Sequence, residues 1–294
     1  MMYLVLSILF SSLIFVIFKL FAKYQVQTIY AIILNYFIAS SVGLFYNKQP
    51  FDITAIPQKS WFWGGMALGL LFIAIFNLMA ATSQKLGVSV ASVATKMSLT
   101  IPVLFGVFFY KEALGVLEII GIILALFAVY FTSLKAHKIK AEKWAFVLPV
   151  LVFLGSGIID TSIKYFQEVH MPEEEYALFS ASVFASAGIF GVLFIGFKSI
   201  TKPIKVNIKN VIGGICLGVP NYFSIYFLLK ALQHPTWNSA SVFTINNVAI
   251  VMFSTLLGIL LFKERLTIKN WFGIGMAVLS IILVAFGQQI MNIL

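Results

Sequence analysis

Gly64-Gly65-Met66-Ala67-Leu68-Gly69 recurs 149 residues later as Gly213-Gly214-Ile215-Cys216-Leu217-Gly218. The same offset carries Gln84 onto Gln233, and Ala91-Ser92-Val93-x-Thr95 onto Ala240-Ser241-Val242-x-Thr244. At an offset of 152, Lys111-Glu112-x-Leu114 meets Lys263-Glu264-x-Leu266, and Gly121-x-x-x-Ala125 meets Gly273-x-x-x-Ala277. Apolar composition alone does not keep glycine pairs, a Lys-Glu pair and a glutamine in register, so the chain reads as a duplication. Ten apolar runs lie at approximately 3–22, 28–46, 61–83, 88–110, 114–134, 144–166, 176–197, 210–232, 237–262 and 269–290. A helix crosses the hydrocarbon core in about 20 residues, so these runs read as ten spans. Five spans per copy is an odd number, and the second copy enters the membrane the opposite way round. The expected fold is therefore an all-α polytopic membrane protein of ten transmembrane helices in two inverted five-helix repeats. Residues 1–134 form the first, 135–143 a basic connecting loop and 144–294 the second. Inverted repeats characterise secondary carriers, whose substrate site lies near the midplane between the copies.

Composition supports lipid as the main solvent. The 294 residues are 61% apolar and only 10% charged, with a mean hydropathy of +1.01, whereas a soluble domain carries roughly 25% charged residues. Phe 30, Tyr 11 and Trp 5 suit lipid-facing surfaces and interfacial belts. The net charge of +10 does not mark a nucleic-acid partner, because the lysines sit in short loops between apolar runs. They orient the chain and meet anionic headgroups of the bilayer. Loops after spans one, three, five, seven and nine hold 14 Lys or Arg against 5 on the other side, which places both termini outward in a cell inner (cytoplasmic) membrane. The run Tyr3 to Phe21 lacks a basic leader and a small-x-small cleavage site, so it reads as the first span.

Enzyme chemistry has no sequence signal. The single cysteine, Cys216, lies in an apolar run, and His137, His170 and His234 sit at loops or span ends. No nucleotide fingerprint occurs, so no cofactor is expected. Glu173-Glu174-Glu175 reads as a solvated loop.

Ionisable groups at membrane depth cost roughly 2.5–3.5 kcal/mol each on insertion scales. Lys96 and Asp160 are the two that clearly bear this cost; Lys164 and Lys230 are near span ends, where they snorkel. Lys96 corresponds through the repeat to Ile245, beside Asn246-Asn247. It reads either as a contact for an anionic substrate group or as a structural ion pair. Asp160 reads as an i,i+4 partner of Lys164, as a proton-coupling carboxylate, or as a contact for a substrate amine. Asn35, Asn77, Asn221 and Tyr222 complete the candidate substrate contacts, each asparagine also serving as helix–helix glue. Pro102 and Pro220 are candidate bends, and Trp237 suits the interfacial belt. These residues together favour a secondary active or facilitative carrier for a small-molecule substrate, with a zwitterion such as an amino acid using both charges. The alternatives are a carrier-lipid flippase and, from a different class, a membrane-embedded enzyme or scaffold.

The chain resembles the drug/metabolite transporter superfamily in its ten-helix form with two EamA-type domains. The resemblance rests on Tyr110-Lys111-Glu112 and Phe262-Lys263-Glu264-Arg265-Leu266, on Gly121 and Gly273 nine residues after each glutamate, and on Ile101-Pro102-Val103. Ser11-Ser12 stands where the family has Trp-Gly, and Gly155-Ser156-Gly157 partly restores that pattern in span six. The resemblance implies a basket of spans around a central cavity, spans five and ten packed to one side, export as the common direction, and both termini inside, against the charge bias. The faces Gly121-x-x-x-Ala125 and Gly273-x-x-x-Ala277 let backbones approach closely. Intramolecular packing is their first reading, and a homodimer seam their second.

Overall fold

The computed structural model describes residues 2–46, 52–110, 115–133, 147–169, 172, 175–199, 207–232 and 239–291. Among them the regular structure is helical: α1 (Met2–Lys23), α2 (Thr28–Tyr46), α3 (Phe62–Lys85), α4 (Val88–Met97), α5 (Thr100–Tyr110), α6 (Val116–Ser133), α7 (Val147–Val169), α8 (Tyr176–Ser199), α9 (Ile208–Leu232), α10 (Ser239–Phe262) and α11 (Ile268–Met291). A short 3-10 helix, Ile53–Gln58, precedes α3. Six of the helices are long and apolar enough to cross a membrane, and α6, α7 and α11 each hold a shorter apolar stretch. The chain is an all-α polytopic membrane protein. Lys111, Glu112, the 135–143 loop, Glu173, Glu174, Gln233 and Trp237 fall outside the described residues, as does the side chain of Lys164.

Span four departs from expectation. The sequence predicts one helix over 88–110, but the structure divides it at Ser98–Leu99 into α4 and α5. Pro102 is the cause: it has no N–H to give the Ser98 carbonyl, and Ile101 N–H takes that carbonyl instead, at 2.9 Å, in a tighter turn. Pro220, the other candidate bend, lies inside an unbroken α9.

The repeated glycine motif makes the two copies embrace. Gly65 and Gly69 lie on the buried face of α3, and a Cβ on Gly69 would stand 2.7 Å from the Ala187 amide nitrogen of α8. Gly214 and Gly218 do the same on α9, where added Cβ atoms would stand 2.7 Å from Leu34 Cβ and 2.9 Å from Ile38 Cβ of α2. Each copy's third span is thus seated on the other copy's second span in the sequence count. Ser186 reinforces the first seam by donating to the Met66 carbonyl at 3.1 Å. Ser40 ties α2 to α8 through the Ala181 carbonyl at 2.9 Å.

Gly69→Ala is expected to lower stability by about 1–3 kcal/mol, the usual cost of overpacking. Gly275→Ala, on α11 with nothing within 4 Å of the added carbon, is expected to be neutral or slightly stabilising, because alanine is the better helix former. Thermal midpoints of the two purified variants in detergent check this. Equal midpoints would remove the close-approach role.

Spans five and ten form the side pair that the resemblance implies, in contact along their small-residue faces. A Cβ on Gly121 of α6 would meet Val284 Cγ2 of α11 at 2.8 Å, and one on Gly273 would meet the Thr132 amide nitrogen at 2.8 Å. Ser280 donates to the Gly121 carbonyl at 2.7 Å. At the start of α11, Asn270 accepts from Thr267 N–H at 2.8 Å, and its amide donates to the Phe131 and Thr132 carbonyls at 3.1 and 3.0 Å. One side chain thereby supplies a partner to the first turn of α11 and to carbonyls that the end of α6 leaves open. The small-residue faces are therefore used within the chain.

The ends of the bundle are tied differently. Where α1 ends, Gln25 adopts a left-handed φ of 56°, and Val26 N–H reaches the Phe21 carbonyl at 2.9 Å, the helix-ending arrangement usually built on glycine. On this same basic end Gln27 and Asn210 exchange two hydrogen bonds of 2.9 Å between the α1–α2 turn and α9. At the opposite end Glu175 accepts from Lys59 Nζ and from the Nε1 of buried Trp61, both at 2.6 Å. The sequence reading of Glu175 as part of a solvated loop is thereby corrected: its carboxylate clamps the entry of α3 to the start of α8. Partial burial pushes its pKa up, but the hydrogen bonds from Lys59 and Trp61 and the Lys59 charge outweigh that and hold it below the ordinary carboxyl range. The clamp therefore stabilises the fold above that range and is lost as pH falls through the depressed value.

Candidate functional site

The centre of the molecule is α4. Eight of its ten residues, Val88–Ala94 and Met97, are buried around its whole circumference. It packs against α3, α7 and α10, and its side chains belong to both major apolar clusters. In a helix this enclosed, exposure needs an internal opening. Thr95 and Lys96, in the last turn before the break, are partly exposed.

Asp160 identifies the other wall of that opening. On α7 the exposed apolar residues Val147, Val150, Leu151, Leu154 and Ile158 make one stripe. At about 100° per residue, Asp160 lies roughly 200° around the helix from Ile158, in the middle of the face that buries Val152, Phe153, Ser156 and Ile159. Asp160 is nevertheless exposed. A carboxylate that is exposed on the inward face of a spanning helix lines a polar opening inside the bundle.

The two walls are in register. Ser98, at the break, shares its hydroxyl proton between the Thr95 carbonyl at 2.5 Å and Asp160 Oδ2 at 3.2 Å. Lys96 stands two residues before Ser98 and so beside Asp160, while the direct ion pair among the described residues is Lys59–Glu175. Gly155 and Gly157 make this approach feasible, because added Cβ atoms there would collide with Ile75 of α3 and Ile101 of α5. An ammonium and a carboxylate thus face an opening beside an interrupted helix, the arrangement in which carriers bind polar solutes.

Comparison with known proteins settles the family. The EamA-like transporter family matches residues 1–134 and 143–286, once in each half. The chain belongs to the EamA-like transporter family. It is a multi-pass membrane transporter of small molecules. A protein of Haemophilus influenzae described as uncharacterized is 31% identical over 280 residues, which cover 92% of this chain and 93% of that one. A crystal structure at 17% identity superposes with a TM-score of 0.56 over 95% of this chain and 97% of its own, and so shares the fold.

Within this EamA-like fold, the other sequence-predicted site residues separate by position. Asn35 and Asn221 are buried against each other, Asn221 Nδ2 donating to Asn35 Oδ1 at 3.1 Å between α9 and α2. Asn246 accepts from Ser7 at 3.1 Å, and Ser7 also reaches the Ser224 carbonyl at 3.0 Å, joining α1, α9 and α10. These three amides are spent on helix packing. Asn77 is half-buried beside the exposed stripe of α3, and its amide donates to the Ile73 carbonyl at 2.7 Å. Tyr222 continues the outward stripe of α9 that begins at Ile208, Ile212 and Ile215, and it packs on Tyr46 and Tyr226 at ring separations of 5.8 and 6.1 Å. Ile245, the repeat mate of Lys96, lies on the outward stripe of α10 with Met252 and Leu256. Asn247, roughly 200° from Ile245, lies on the inward face. Lys96 and Asp160 thus meet at the break after α4, and Asn247 is buried on the inward face of α10.

Sequence reading missed Ser98 and Glu264 as local determinants. Ser98 had a signal, its place four residues before Pro102. Glu264 belongs to the repeated Lys-Glu pair, but its partners lie 175 and 176 residues away.

Proposed function

We propose that this EamA-like transporter is a secondary active or facilitative carrier of a small zwitterionic metabolite such as an amino acid. It works by alternating access at the α4–α5 break, in the cell inner membrane, with export as its physiological direction. The observation that carries this reading is the exposure of Asp160 on the inward face of α7, opposite Lys96. An ammonium can take a substrate carboxylate, a carboxylate can take a substrate amine, and Asn247 adds a neutral polar group on the same inward side. A single-headed ion would leave one protein charge unmatched, which is costly away from bulk water. Direction follows the habit of the family.

The test is a thermal-shift screen of the detergent-purified protein against a metabolite panel, since a ligand of the folded state raises its midpoint by mass action. Stabilisation by amino acids, with none from the corresponding amines or carboxylic acids alone, is the expected result. Stabilisation by polyprenyl-linked or other lipid headgroups alone would favour a flippase. The basic loop ends, including Lys23, Lys85, Lys209 and Arg265, are assigned to the cytoplasm by the excess of positive charge. A C-terminal reporter that is active in the cytoplasm would reverse this assignment.

A further inference from the structure

Between the Lys96–Asp160 region and the basic face, the first seven residues of α4 are buried, and the start of that helix is capped by a residue of the other repeat. Glu264, in the α10–α11 turn, accepts a hydrogen bond from Val88 N–H at 2.8 Å and one from Ser89 Oγ at 3.2 Å. A carboxylate in this position satisfies a first-turn amide that has no partner within the helix and meets the positive end of the helix dipole. The cap comes from the second repeat and its helix from the first. Val88 and Ser89 are buried beneath it.

The surrounding backbone is shaped to hold that carboxylate. Gly87 has a φ of 120°, which side-chain-bearing residues rarely adopt, and a Cβ there would stand 2.8 Å from Glu264 Oε2. A Cβ on Gly258 of α10 would stand 2.7 Å from the same oxygen. Lys263 adopts a left-handed φ of 53° and turns the chain so that Glu264 N–H returns to the Gly258 carbonyl at 3.3 Å. Two glycines and one left-handed turn thus converge on one carboxylate. At its other end α4 is tied through Ser98 to Asp160 of α7. A ten-residue helix bearing Lys96 is consequently fastened at both ends to the second repeat, between Gly87 and the Ser98–Leu99 break.

We propose that Glu264 is the positioning residue for α4 and the latch of the basic-face gate, so that the site opens to that face when the Glu264–Val88/Ser89 contact parts. Glu264 holds Lys96 in register with Asp160 while the gate is closed. The gate belongs to the carrier reading given above, but its test requires no substrate.

The test uses the full chain carrying Cys216→Ser and Ser92→Cys, in sealed vesicles of both orientations, with a membrane-impermeant thiol reagent. Ser92 is fully buried one turn inward from the latch. Glu264→Ala is expected to speed labelling of position 92 from the face bearing Lys85 and Lys269 by about fivefold or more, the population change that follows loss of an ordinary helix cap. Labelling from the opposite face should not rise. Gly258→Ala keeps the carboxylate and crowds it, so it should act in the same direction even if Glu264→Ala folds poorly. An unchanged basic-face rate in folded Glu264→Ala or Gly258→Ala protein overturns the latch, and so does an equal rise from both faces. Loss of amino-acid binding with the labelling pattern intact would overturn the substrate assignment and leave the latch standing.

Discussion

Lys96→Met is expected to weaken binding of the carried ligand by about 1.5–3 kcal/mol, the usual scale of a hydrogen bond to a charged group. That is roughly ten- to 150-fold in Kd. The reasoning starts from position. Lys96 is in the last turn of an otherwise enclosed helix, partly exposed where the helix breaks, two residues from the serine that meets Asp160. Methionine keeps the unbranched stem and removes the ammonium, so the packing of α4 against α7 and α10 is retained. Asp160 then loses a neighbouring positive charge but keeps Ser98 and access to water. Affinity measured on mutant protein that elutes as a single folded peak checks this, and an unchanged Kd would make Lys96 a structural group only.

Asp160→Asn is expected to abolish uphill accumulation driven by a pH gradient while downhill exchange persists. Asparagine still offers Ser98 an acceptor oxygen, so the tie across the helix break survives, but it cannot carry a proton. Flux in sealed vesicles without ATP separates the two modes. A mutant that retains full gradient-driven uptake would limit Asp160 to holding α7 against the end of α4.

Much of this architecture can be read from residues whose effect is local or periodic. Apolar run length locates the spans, and the glycines at 64–69 and 213–218 announce close packing because backbone approach has few other solutions. The structure adds what those glycines pack against: α8 in one case, α2 in the other. Gly121 and Gly273 likewise predict a small-residue seam, and α6 and α11 supply it. Asn35, Asn221 and Asn246 show where sequence stops. A mid-span amide looks the same whether it faces a ligand or another amide, and only the juxtaposition of α2 with α9, and of α1 with α10, decides between them. Tyr222 is a different case. Its helix face is legible from the exposed residues at 208, 212 and 215, but which face meets lipid depends on neighbours from the other repeat. The break in span four lies between these cases, since Pro102 marks a lost hydrogen bond while Pro220, chemically identical, leaves α9 continuous.

The assignment of Lys96 to a substrate carboxylate has a direct test in a cycle that pairs a protein change with a ligand change. Affinities of wild type and Lys96→Met are measured for the amino acid that stabilises the protein and for its carboxamide. Interacting groups give non-additive losses, whereas independent ones add. Neutralising the carboxylate is expected to cost wild type about tenfold or more and to cost Lys96→Met almost nothing. Equal losses in the two proteins would contradict the account and place the carboxylate away from Lys96.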